Sequence, residues 1–153
     1  MPAVSTTVKY TRVGRGSLLA NAFGGADVGV LFPATVQLYT NSVTLTETIT
    51  QANFVDLQDS IPYTAGTITP ASWIVTTSGD IAVAKHPSIR VSITTDRTTL
   101  NANANVRGYY ILGSDSTTVL WAGSFPSPFV VNKTPNGQIV DLFIPLEIQW
   151  RAP

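Results

Sequence analysis

From Ile139 to Trp150 every even position is apolar: Val140, Leu142, Ile144, Leu146, Ile148 and Trp150, with Asp141, Glu147 and Gln149 set between them. A period of two is the spacing of a β-strand that turns one face to a core, because successive side chains leave a strand on opposite sides. The same residues wound as a helix would scatter those side chains around its circumference, so the segment predicts a strand. Pro145 falls inside it. A proline has no N–H to give to a ladder, which puts this strand at a sheet edge or marks a bulge, and either leaves part of it open to a neighbouring chain.

The same grammar recurs upstream. Ala34 to Thr40, Trp73 to Thr77, Ile81 to Lys85, Ile89 to Thr95, Val106 to Leu112 and Val119 to Phe125 are short runs rich in β-branched and aromatic residues. Ser78-Gly79-Asp80 reads as a turn joining two of them, and Gly113-Ser114-Asp115-Ser116 as a hairpin turn joining two more. Thr44, Thr46, Thr48 and Thr50 alternate with Val43, Leu45 and Ile49 as in a strand, yet the following Gln51-Ala52-Asn53-Phe54 suits a helical turn, and the segment is open between the two. Short strands with no long helical pattern predict an all-β fold, an antiparallel two-sheet sandwich of jelly-roll type.

A chain of 153 residues fits one domain, and a domain of that size buries roughly 70% of the surface that its unfolded chain exposes. It contains no cysteine. Disulfides, thiolate nucleophiles and thiolate metal ligands are therefore all excluded, and packing and hydrogen bonding must hold the fold. Residues 1–33 read as an irregular N-terminal arm and residues 34–153 as the sandwich domain. The arm holds Gly14, Gly16, Gly24, Gly25 and Gly29 with the basic residues Lys9, Arg12 and Arg15. Within it Ser17–Phe23 could make two helical turns, with Ser17 as N-cap and Gly24 as the stop.

Charged residues are 12% of the chain, half the roughly 25% of an average domain. Nine basic residues balance nine acidic ones, which leaves no long-range field to steer the chain to nucleic acid. With so little charge and a positive mean hydropathy, the surface is either covered by partners or solvated by Ser and Thr, which make up more than a fifth of the residues. No apolar run reaches the roughly 18 residues of a membrane helix. Met1 to Thr7 lacks the basic start and apolar stretch of a secretory signal. The expectation is a chain without a membrane partner, kept in a cytoplasm until it is assembled or released.

Candidate chemistry is sparse. His86 is the one histidine, so any Ser-His-Asp arrangement must use it, but it precedes Pro87 and stands beside Lys85, as a solvated loop histidine would. Asp56, Asp59 and Asp115 lack the ligand spacing of a calcium loop and read as turn aspartates on the surface. Glu47 and Glu147 are the two glutamates available for a glycosidase pair, and Glu147 sits on the outer face of its strand. Gly14-Arg15-Gly16 and Gly24-Gly25 do not have the setting of a phosphate loop. Asn132-Lys133-Thr134 formally matches a glycosylation acceptor. Trp73, Tyr109, Tyr110, Trp121 and Trp150 could line a sugar-binding face, although aromatics at strand positions more often fill a core. The residues thus point to no catalytic site, metal or cofactor.

Several segments taken together resemble a known group. Leu38-Tyr39-Thr40-Asn41, Gln51-Ala52-Asn53-Phe54, Ala71-Ser72-Trp73-Ile74-Val75 and the alternating last strand are among them. The most specific piece is a hairpin in which Gly108-Tyr109-Tyr110-Ile111-Leu112, a polar turn and Val119-Leu120-Trp121-Ala122-Gly123-Ser124-Phe125 follow one another. Residues 34–150 so resemble small all-β structural proteins, of head decoration or cement type, encoded among tailed-phage virion genes. The resemblance implies a non-enzymatic virion protein, made in the host cytoplasm, that binds the outside of the head and stabilises contacts between major capsid subunits. Its partner would then be the major capsid protein, with self-association as a homotrimer on a symmetry axis. The arm would supply the capsid contacts through Arg12, Arg15, Leu18, Leu19 and Phe23. The alternative is a carbohydrate-binding head-fibre or tail module that recognises the host surface. A hydrolase using His86 is a distant third.

Overall fold

The computed structural model describes residues 7–12, 14, 32–59, 63–69, 74–94, 104–132 and 139–151. These residues form nine strands in two antiparallel sheets: β1 (Thr7–Tyr10), β2 (Ala34–Tyr39), β3 (Tyr63–Thr64), β4 (Gly66–Ile68), β5 (Ile74–Ser78), β6 (Ile81–Thr94), β7 (Ala104–Leu112), β8 (Val119–Val131) and β9 (Ile139–Arg151). The first sheet runs β1-β8-β7-β2-β4. In the second, β6 is central, with β9 along one side and with β5 and β3 at opposite ends of the other. The chain passes from the second sheet to the first at Ala65, between β3 and β4.

Period-two patterning explains how the sheets meet. Val36 and Leu38 of β2, Val106, Tyr109 and Ile111 of β7, Ile89, Val91 and Ile93 of β6, and Leu142, Ile144 and Leu146 of β9 all enter one buried cluster. Each aliphatic side chain taken out of water there contributes about 1.5–3 kcal/mol, so this inter-sheet core holds the fold without a covalent staple.

The alternating tail is strand β9, and β6 pairs with it from Ile81↔Arg151 to Thr94↔Ile139. Pro145 sits on an outer edge of the second sheet, opposite a register shift between His86 and Ile89. It therefore has both features that its missing N–H allows. That bulge also corrects the sequence reading of residues 81–85 and 89–95 as separate strands. Pro87 and Ser88 are taken up as an irregularity while the ladder with β9 continues on both sides.

Two further differences follow from proline and from tertiary packing. β8 runs on past Phe125 to Val131, because Phe125 to Pro128 are accommodated in a bulge opposite Arg107. Residues 7–10, within the segment read as an arm, form β1 and pair with Trp121–Ser124 of β8. The helical turns expected at Ser17–Phe23, and the expected contact residues Arg15, Leu18, Leu19 and Phe23, lie outside the described residues.

Candidate functional site

The first sheet is covered on its outer face. Tyr39, Tyr110, Leu112, Val119 and Ala122 point away from the inter-sheet core and form a second buried cluster with Ile49 and Phe54, against which Val43 and Leu45 pack. The cover is the segment from Thr40 to Asp59, a strap that contains 3-10 turns at Gln51–Asn53 and Leu57–Asp59. Its half-buried positions Asn41, Val43 and Leu45 alternate with exposed Ser42, Thr44 and Thr46. From Asn41 to Thr46 the strap is thus extended, with a period of two, yet lies on a sheet face outside any ladder, and an isolated bridge pairs its Asp56 with Tyr39 of β2.

Asn41 closes the strap. Its Nδ2 donates to Asn53 O at 2.9 Å, and its Oδ1 accepts Val55 N–H at 2.8 Å. Further along, Phe54 stacks on Tyr110 with ring centroids 4.4 Å apart. Asp56 is the polar anchor: its carboxylate accepts Tyr110 Oη–H at 2.5 Å and Gln58 N–H at 2.7 Å, and lies 3.0 Å from Tyr63 Oη. Tyr63 Oη also accepts Leu38 N–H at 3.0 Å and contacts Gln37 Oε1. A phenol has one proton, so Asp56 and Gln37 compete for it. Burial pushes the Tyr63 hydroxyl far above its ordinary pKa, and burial together with Tyr109 pushes Tyr39 up to about 12. Asp56 is therefore a half-buried structural group, which corrects its reading as a surface turn aspartate.

Where the strap bends, Asn41, Ser42, Val43, Thr44, Thr46, Thr48, Ile49 and Asn53 surround a shallow open cleft of about 460 Å³. It contains hydroxyls and amides and no charge. Both amides already serve the strap, since Asn53 Oδ1 accepts Thr50 N–H at 2.9 Å while Asn41 is used as above. The cleft can offer a ligand neutral hydrogen bonds, with no group suited to acid–base work.

At the N-terminal side the lead-in is clamped to the domain. Thr11, buried, receives Gly14 N–H at 2.9 Å and places its hydroxyl 2.6 Å from Val119 O and 2.9 Å from Leu120 O. A Cβ on Gly14 would fall 1.9 Å from Leu120 O, so only glycine allows this approach. Arg12 donates its backbone N–H to Glu47 O at 2.9 Å, and its guanidinium Nε lies 3.6 Å from Glu47 Oε2, both side chains being well exposed. Of the five predicted contact residues, Arg12 is thus seen on the surface beside the strap.

The other candidates are dispersed. His86 is half-buried within β6, correcting its reading as a loop residue, and its Nδ1–H donates to Pro87 O at 2.7 Å. Glu147 pairs with Lys85 at 3.3 Å on the second sheet, while Glu47 lies on the strap over the first. Asp115 is the turn aspartate that its sequence suggests. It accepts Thr118 Oγ1–H at 2.6 Å and Thr118 N–H at 2.9 Å, which hold its pKa at about 2. Among the described residues no group of three or more His, Asp or Glu converges. Tyr109, Tyr110 and Trp121 are buried, so these three form no sugar platform. Trp73 and the side chain of Trp150 lie outside the described residues.

The sequence reading missed the second sheet's exposed end. No residue from Ile74 to Ser88 is buried, and Ile74 and Val75 are each 64% exposed. On β9, Ile139 and Phe143 are likewise outward. Apolar residues on both faces of Ile81-Ala82-Val83-Ala84 are the signal that could have found it. In comparison with known proteins, the chain matches no family model, no curated protein and no solved structure.

Proposed function

We propose that this chain is a non-enzymatic virion protein of tailed-phage type that decorates the outside of the head and stabilises contacts between major capsid subunits. The observation that carries the reading is the exposed end of the second sheet, where Ile74 and Val75 of β5 are uncovered and Ile81 to Ala84 of β6 are only half-buried. Such a surface is suited to burial against protein. Interfaces of this kind are built from shape, backbone edges and apolar anchors, which the fold offers without needing a reactive group. The resemblance of residues 34–150, concentrated in the β7–β8 hairpin, supplies the virion setting. Copies would lie where capsid subunits meet, with Arg12, exposed within the clamp of Thr11 and Gly14, and Arg15, Leu18, Leu19 and Phe23 as the residues that reach the capsid.

One observation favours the second reading, a carbohydrate-binding head-fibre or tail module: the neutral, hydroxyl-lined cleft over the strap. The two readings part in one experiment. Heads produced without this gene should open at a lower temperature than wild-type heads and recover when the full-length protein is added back. A carbohydrate module would leave head stability unchanged and would instead lose cell attachment.

A further inference from the structure

Sheet edges expose unpaired N–H and C=O groups, and proteins guard them with proline, charge or brevity. Most edges among the described residues here are guarded. β9 has Pro145 together with Asp141, Glu147 and Arg151; β1 is four residues long and includes Lys9; β3 and β4 have two and three residues. The exception is β5, Ile74-Val75-Thr76-Thr77-Ser78, five residues with neither proline nor charge and none of them buried. It ends the second sheet on its side of β6.

We propose that β5 is a self-association edge: two copies of the chain pair their β5 strands antiparallel about a two-fold axis at Thr76. An unpaired β edge commits its occupant to an extended strand, because only another backbone answers its alternating donors and acceptors. Full overlap of the five residues centres the pair on Thr76. Ile74 then faces Ser78, Val75 faces Thr77, and Thr76 faces its own symmetry mate. These rungs hold β-branched or small residues and no charge, so the strand is its own complement.

Charge and closure both favour a second copy over a foreign strand. Among the described residues, the charged ones in the turn after β5 and in register with it on β6 and β9 are Asp80, Lys85, Glu147 and Arg151, two of each sign, with Lys85 and Glu147 already 3.3 Å apart. A second copy therefore meets no net charge. Pairing also extends the sheet to β9-β6-β5 from each copy, with Val75, Ala84 and Ile148 in register across it. The unguarded edges are consumed, and the outer edges become the two β9 strands with their prolines. The assembly closes at two copies, where the resemblance to decoration proteins implies a homotrimer, and it does not depend on the capsid reading.

The native mass of the full-length protein should be twice the 16.3 kDa of one chain. T76K and T76E should each sediment as monomers with unchanged circular dichroism, and an equimolar mixture of the two should regain the dimer mass. Thr76→Cys gives an independent readout, since the chain has no other cysteine. Directly opposed residues of an antiparallel pair have Cα atoms about 4.5–5.5 Å apart, within disulfide reach. Mild oxidation should convert that variant to a cross-linked dimer, while Thr67→Cys on β4 stays monomeric in denaturing gels. A wild-type monomer, a trimer, a dimer that survives both charged variants, or failure of Thr76→Cys to cross-link would overturn the proposal.

Discussion

Tyr110 holds the strap to the first sheet by two contacts at once: its hydroxyl donates to Asp56 Oδ2 at 2.5 Å, while its ring stacks on Phe54 within 3° of parallel. A hydrogen bond to an ionised carboxylate contributes about 1.5–3 kcal/mol. Replacing Tyr110 by Phe keeps the stack and deletes that bond. Stability measured in urea should fall by about this amount with little change in slope. Asp56→Ala should cost more, because Gln58 N–H also loses its acceptor and the hydroxyl of buried Tyr63 loses a hydrogen-bonding neighbour.

Gly108 has a steric role in the β7–β8 hairpin. A Cβ there would stand 2.1 Å from Gly123 O and 2.6 Å from Tyr39 Oη. Both obstacles belong to packed elements, so Gly108→Ala should lower the urea-unfolding free energy by about 3 kcal/mol, the upper end for overpacking. Gly79→Ala brings no contact within 4 Å, but Gly79 has φ +56 in an exposed turn, and the cost there should be that of a strained turn alone.

The fold should weaken in alkali. Tyr39 and Tyr63 both have raised values in the folded state, from burial, with Tyr39 at about 12. Their contribution is complete below the unfolded tyrosine value near pH 10. It is lost as pH rises towards 12, because the unfolded chain releases those protons first. Stability followed from pH 8 to 11.5 should fall less steeply in Tyr63→Phe than in wild type.

At the acid end the sign reverses. Asp115 is held at about 2 by Thr118, and Asp141 is held below the usual carboxylate range by hydrogen bonds from Arg90, at 2.8 Å, and Ser92. Depressed carboxylates stabilise above their unfolded value, roughly pH 4, and that stabilisation disappears as pH falls through the folded value. Thr118→Val should flatten the loss of stability between pH 4 and pH 2.

Much of the fold was legible because period-two burial leaves a direct trace, most clearly at Leu142, Ile144 and Leu146. Prolines concealed the rest. Pro87, Pro126 and Pro128 read as breaks, yet each occupies a bulge through which its strand continues. The strap stayed open between strand and helical turn for a different reason, since Val43 and Leu45 alternate with threonines as in a strand but meet a sheet face, while Gln51–Asn53 does form a 3-10 turn. Asp56 looked like a loop carboxylate because its partners Tyr63 and Tyr110 are distant in sequence. β5 held its message in what it lacks, a guard residue, and that becomes visible only when every other edge is placed.

The most direct test of the head-decoration reading is sedimentation of the full-length protein with heads of the phage that carries the gene, prepared without this protein and imaged by electron microscopy. Saturable binding is expected, with added density at fixed sites on the outer surface between capsid subunits. Protein that stays in the supernatant at saturating concentrations, with heads unchanged, would contradict it.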